Sequence, residues 1–256
     1  MEAALRCKGA SVVWADLMRV PTLPLLLLLV ALSSLRVAAQ TPDAEPTFGL
    51  PTVTFEMDWR SDAPHWYSIS IDSTGRMAYQ SEPAIYPGET PGDFFLMKFT
   101  SSQATRDEIF RLARELEYFK QGNYELTSDS SSATTMTLRW QDALPREYGF
   151  MSSEQDKQAT YNHSNDARVN KLTSIFERIS ATMEAGRRLS DSLPSNSAGI
   201  DDALARIDDM QRNNQLLELQ ALQPILQSVA DNQVVAASAR ARARRLLSEA
   251  EAVAAE

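Results

Sequence analysis

His65 and His163 are the two histidines of this sequence, and they are its side chains best suited to acid–base chemistry at neutral pH. Neither belongs to a catalytic pattern such as GxSxG or HExxH. Ser164 and Asp166 follow His163 closely, but Ser–His–Asp triads are assembled across a fold and not within a few residues. The sequence therefore predicts a non-enzymatic protein. The alternative is a hydrolase with an unrecognised site near His65 and His163.

Metal and cofactor patterns are also missing from the sequence. Glu125 and Asp129 lie in a serine-rich stretch, but their spacing is not that of an EF-hand loop. We predict no metal and no cofactor. Asn162-His163-Ser164 matches the acceptor pattern for N-glycosylation, which would matter in a eukaryotic secreted protein.

Tryptophans are the candidates for ligand binding. Trp59 and Trp140 share the phase of buried strand positions, so we predict that both belong to the core. Trp66 does not share this phase of buried positions, and it lies next to His65. We therefore predict a binding role for Trp66 and His65.

The N-terminus indicates export. A leucine-rich run at 25–32 precedes Val37 and Ala39, the small residues that signal peptidase requires before a cut at Gln40. The run is shorter than the ~20 residues of a membrane-spanning helix, although a signal anchor is the alternative. We predict a signal peptide at 1–39, a flexible leader at 40–50, and a periplasmic or extracellular mature protein without a membrane span. Met18 is an alternative start.

Strand patterns fill the region after the leader. The stretch 66–79 alternates apolar and polar residues on either side of Gly75, which predicts a hairpin with the glycine at positive φ. Residues 53–59 alternate in the same way, and 94–99 is a short apolar run. Residues 136–140 alternate as well, and we expect them to pair with a strand at Tyr148 and Phe150.

Two amphipathic helices accompany these strands. Thr100 and Gln103 have capping-box spacing before the first helix, which should end before Gly122. The second should begin near Asp166, with apolar residues at helical spacing up to Met183. The predicted fold is α+β: an antiparallel sheet of five to six strands covered by two helices at 51–189, followed by a C-terminal all-helical segment.

Residues 51–185 contain a series of short motifs: Tyr67-x-Ile69-x-Ile71-Asp72, Gly75-x-Met77-x-Tyr79, Tyr118-Phe119, Thr135-x-Thr137-Leu138, and a last helix with Leu172 and Ile179. In these motifs the middle of the chain resembles a family of uncharacterised small α+β domains in exported bacterial proteins. The resemblance implies a small α+β domain and supplies no catalytic residues.

The C-terminal region differs in composition from the rest. Residues 190–199 read as a linker, and 200–256 read as a helical tail without aromatic residues. The tail has a basic cluster and an acidic cluster, which either form ion pairs in an antiparallel arrangement of helices or remain solvated: Arg240, Arg242, Arg244 and Arg245, and Asp201, Asp202, Asp208 and Asp209. Its apolar stripes need one another, the α+β domain, or a second chain.

Charge limits the classes of partner. The formal net charge is −9 at pH 7, which repels nucleic acid and anionic lipid. Cys7 is the only cysteine and precedes the predicted cut, so the mature protein would have no disulfide. We predict an unknown protein partner, or self-association through the helical tail, in which the four arginines would make the contacts.

Overall fold

The alternating segments form one six-stranded antiparallel sheet with the order β4-β3-β2-β1-β5-β6. Its strands are β1 (Thr52–Trp59), β2 (Trp66–Asp72), β3 (Arg76–Ser81), β4 (Phe95–Thr100), β5 (Thr134–Gln141) and β6 (Lys157–Tyr161). The computed structural model describes residues 49–59, 64–82, 94–125, 134–142, 157–193 and 197–254. These residues belong to a single compact unit, Gln40–Glu256.

The hairpin turn between β2 and β3 is held by one buried carboxylate. Asp72 accepts hydrogen bonds from the Thr74 amide at 2.8 Å and from the Arg76 amide at 3.2 Å. Gly75 follows with φ of +90°, the conformation that the sequence predicted for it. The turn therefore sets the register in which Ile71 faces Met77.

Two helices cover one face of the sheet. α1 (Gln103–Glu115) and the first half of α2 (Ala167–Ser192) pack on the apolar side chains that alternate along the strands. Phe55 of β1 stacks on Phe176 of α2 with ring centroids 5.1 Å apart. The prediction of an antiparallel sheet mixed with helices is confirmed.

Two local predictions were wrong. Ser102, and not Thr100, is the N-cap of α1, because its Oγ accepts the Thr105 amide at 3.2 Å. β5 pairs with β1 on one side and with β6 on the other, so the strand predicted at Tyr148 and Phe150 is not its partner. Residues 143–156 lie outside the described part of the chain.

Four helical elements follow α2: α3 (Ser197–Arg212), the 3₁₀ helix Leu219–Leu222, α4 (Gln223–Asp231) and α5 (Ala237–Ala254). They share a second apolar cluster with Ala185 and Leu189 of α2. Residues 190–192 and 197–199, which composition predicted to be linker, are helical. In the described residues, none of the helices combines the length and the apolar character needed to cross a membrane.

Residues 214–222, which we call the strap, join the tail to the rest of the molecule. Thr182 Oγ1 donates to the Leu217 carbonyl at 2.7 Å and accepts the Leu217 amide at 3.1 Å. Glu218 is 2% exposed, and its carboxylate accepts the Ser102 amide at 2.7 Å and the Ser102 hydroxyl at 2.8 Å. The strap therefore contacts α2 and the N-terminus of α1.

Candidate functional site

The second face of the sheet has no described element packed on it. The side chains of this face alternate with the core positions, and none of them belongs to either apolar cluster. Most are small and polar, such as Thr54, Ser68 and Ser70, and they are half-buried by their neighbours on adjacent strands. This surface, which we call the open face, is therefore a broad polar plane.

One end of the open face is apolar. Phe94 and Leu96, on or beside the edge strand β4, are 54% and 53% exposed. Trp66 of β2 is half-exposed on the same face, two strands away. Exposed large apolar side chains that lie close together mark interaction sites more often than scattered ones do. Trp66, which the sequence singled out, therefore lies on the same face as these exposed apolar side chains.

Two carboxylates flank Trp66 across the strands. Asp58 of β1 is its direct partner in the register, and Glu82 donates its amide to the Trp66 carbonyl at 3.0 Å. Extending the β3–β4 register by one residue places Phe94 opposite Glu82. We call the five residues Asp58, Trp66, Glu82, Phe94 and Leu96 the acidic corner.

The histidines do not form a catalytic arrangement. His65 Nδ1 lies 3.2 Å from the Trp59 carbonyl oxygen, to which it can only donate. His163 is exposed and has no side-chain hydrogen bond within the described residues. The register places Tyr67, Met57, Met136 and Tyr161 in one row across the sheet. β2, which His65 precedes, and β6, which ends two residues before His163, are therefore three strand spacings apart, about 14 Å.

Three of the four tail arginines form ion pairs or hydrogen bonds with other residues of the tail. Arg242 pairs with Asp201 at 2.6 Å, and Arg245 pairs with Asp208 at 2.7 Å. The Arg244 guanidinium donates to the Ala230 carbonyl in the last turn of α4 at 3.1 Å. Arg240 Nε is buried and meets no acceptor among the described residues. Two arginines of the basic cluster therefore pair with aspartates of the acidic cluster, one of the two arrangements that the sequence left open.

Buried polar side chains form hydrogen bonds between α2 and the sheet. Glu184 accepts hydrogen bonds from Tyr79 and Ser81 at 2.8 Å each, and from Arg187. Burial, together with the nearby Glu184 carboxylate, raises the pKa of the Tyr79 hydroxyl, so this tyrosine stays protonated at neutral pH. A carboxylate held by three donors is a fixed structural anchor.

A strained turn follows α1. Glu117, Tyr118 and Phe119 have φ of 49°, 57° and 65°, which costs each non-glycine residue about 1–2 kcal/mol. The turn buries Phe119 and sets Tyr118 against Trp140, with ring centroids 4.5 Å apart. Lys157 Nζ lies 5.1 Å from the Tyr118 ring. The aromatic packing accounts for the strain without a ligand.

Two shallow clefts occur elsewhere on the described surface. The first, about 340 Å³, lies beside Tyr124 and Asp166 and is lined by polar side chains. The second, about 500 Å³, lies between α2 and α3 beside Arg178 and Met210. No group of three or more histidine, cysteine or acidic side chains in the described residues could hold a metal ion. Asp129, the other half of the calcium candidate, lies outside those residues.

For some residues, the exposure predicted from the sequence differs from that in the structure. Trp140 is buried, as predicted, but Trp59 is 38% exposed at the end of β1. Phe94 and Leu96 were taken for part of a uniformly apolar strand, and their exposure was not foreseen. The signal available was Lys98, which has the same parity as Phe94 and Leu96 and therefore marks their side of the strand as the one away from the core.

Comparison with known proteins does not assign the chain to a family. No protein-family model matches the chain, and no curated protein matches it. The resemblance to small domains of exported bacterial proteins therefore stays a prediction.

Proposed function

We propose that this chain is an exported, non-enzymatic protein that binds another protein through the open face of its sheet. The observation that carries the proposal is the exposure of Phe94 and Leu96 beside Trp66 on an otherwise polar face. Large apolar side chains surrounded by polar ones are typical of the centre of a protein interface. Export rests on the leucine-rich run and the cleavage pattern at Ala39 alone.

The open face is a better contact surface than the helical tail. Arg242 and Arg245 already pair with aspartates of α3, so an external partner would have to displace those ions. Phe94 and Leu96 belong to neither apolar cluster of the described residues, so burying their exposed surface against a partner gains free energy.

Site-specific photo-cross-linking tests the proposal. Benzoylphenylalanine replaces Leu96 in one variant and Gln158, an exposed residue at the far side of the open face, in a control variant. In the exported fraction of the source organism we expect one defined protein cross-linked from position 96 and not from position 158. The additional substitution Phe94→Ser should abolish that product.

Two results would count against the proposal. One is the absence of a position-dependent product. The other is a hydrolytic activity of the purified protein that His65→Ala or His163→Ala removes, because a protein that only binds a partner catalyses no hydrolysis.

A further inference from the structure

We propose that the acidic corner recognises a cationic, partly apolar segment of a protein partner. This inference rests on the proposed function and names the chemistry of the partner. Trp66 stands between Asp58 and Glu82, each directly opposite it on a neighbouring strand. Antiparallel register brings such residues to about 4.5–5.5 Å between Cα atoms, so both carboxylates lie beside the indole ring.

The negative charges of the corner are not compensated within the described residues. Neither Asp58 nor Glu82 has an ion pair or a side-chain hydrogen bond there, whereas Glu56, one row away, lies 3.5 Å from Arg139. A lysine or arginine side chain can rest on an indole face while a neighbouring carboxylate neutralises it. The whole chain adds a net charge of −9, which attracts cations at long range.

The same charges argue against other occupants. A neutral or acidic partner that covered Phe94 and Leu96 would desolvate carboxylates without replacing the lost hydration. A second copy related by a twofold axis through this corner would bring Asp58 and Glu82 close to their own equivalents. A metal ion would need the two carboxylates to converge, and the indole of Trp66 lies between them.

Apolar contacts define the remaining part of the partner. Phe94 adjoins Glu82 across the strands, and Leu96 lies one row further along β4. When a cationic side chain of the partner contacts Trp66, the neighbouring residues of the partner would contact Phe94 and Leu96, and we expect those residues to be apolar. The expected partner carries arginine or lysine next to leucine, phenylalanine or a similar residue.

Peptide binding to the full mature chain tests this chemistry. The probe is a fluorescein-labelled peptide of about ten residues that alternates arginine and leucine, long enough to span several strands. Control peptides replace arginine by serine or by glutamate. We expect the arginine peptide to bind, and its affinity to fall with added salt because the ion pairs are exposed.

Matched charge variants separate the corner from the net charge of the protein. Asp58→Asn with Glu82→Gln should weaken binding about tenfold, since each exposed pair and the cation–π contact contribute a few-fold. Glu117→Gln with Asp202→Asn removes the same charge from two exposed residues of the helical part, and binding should change by less than about twofold. Circular dichroism should show that both variants are folded.

Several outcomes would overturn the inference. Equal weakening in the two double variants would mean that net charge, and not the corner, attracts the peptide. Failure of the arginine peptide to bind, or equal binding of the serine or glutamate peptide, would exclude a cationic partner. A position-dependent cross-link at Leu96 to a segment without lysine or arginine would leave the proposed function standing and refute only the charge preference.

Discussion

Replacing Glu218 by alanine should release the N-terminus of α1 from the strap. The Glu218 carboxylate is the acceptor for both the amide and the hydroxyl of Ser102, and Gln220 also donates to it. Ser102 is itself the N-cap of α1, so the carboxylate lies at the positive end of the helix dipole. One side chain thus connects the helical tail to the layer that covers the sheet.

The size of the effect follows from these contacts. A hydrogen bond to a charged acceptor contributes about 1.5–3 kcal/mol, and an acidic group at a helix N-terminus adds about 0.3–1 kcal/mol. Alanine leaves the half-buried amide and hydroxyl of Ser102 with fewer hydrogen-bond partners. Because water can partly replace the carboxylate, we expect Glu218→Ala to lower the free energy of unfolding by about 3 kcal/mol.

Urea denaturation followed by circular dichroism measures this loss, and the chain offers a matched control. Glu117 is a second glutamate at positive φ, with φ of 49° against 64° for Glu218, but it is exposed and has no side-chain hydrogen bond within the described residues. Glu117→Ala should change stability by less than about 0.5 kcal/mol. A Glu218→Ala loss no larger than that of Glu117→Ala, at equal m-values, would refute the assigned role of the carboxylate.

Three further substitutions test separate parts of the structure. Glu117→Gly should raise the free energy of unfolding by about 1 kcal/mol, because glycine relieves the positive-φ strain; unchanged stability in urea would mean that the turn is relaxed. Gly186→Ala should lower it by about 1–3 kcal/mol, since the new Cβ would lie 2.4 Å from the buried Leu222 Cδ2; a thermal midpoint equal to that of the wild type would contradict the close approach. Arg111, with Lys171, lowers the pKa of Glu108 from 4.5 to about 2. This stabilisation is complete above about pH 4.5 and is lost as the pH falls through about 2, so Glu108→Gln should remove about 1 kcal/mol near neutral pH and only a small part of that at pH 2, as measured by urea midpoints across that range.

Local periodicity was enough to predict most of the sheet. The β2–β3 hairpin needed only alternation and a glycine at positive φ, both of which are short-range properties. The pairing of β5 was not local, because its partner β6 begins sixteen residues after β5 ends. A nearer apolar pair at Tyr148 and Phe150 looked equally suitable, and sequence spacing alone cannot rank two such partners.

The candidate site was only partly predictable for a related reason. Trp66 was found because its parity differs from that of Tyr67 and Ile69, which are core residues. Phe94 and Leu96 were missed because five of the six residues 94–99 are apolar, and Lys98 alone distinguishes the two sides of this strand. Asp58 and Glu82 lie on either side of Trp66 only because of the register of three strands. A short stretch of sequence cannot show this arrangement.

The length of α2 explains why the tail shares a core with the rest of the molecule. At about 1.5 Å per residue, its 26 residues extend about 39 Å, and the sheet cluster uses them only as far as Met183. From Ala185 onward the buried side chains of the same helix belong to the tail cluster. Because Tyr79 and Ser81 hold Glu184 between the two clusters, rotation of α2 would disrupt both cores together, and we expect sheet and tail to unfold in one transition.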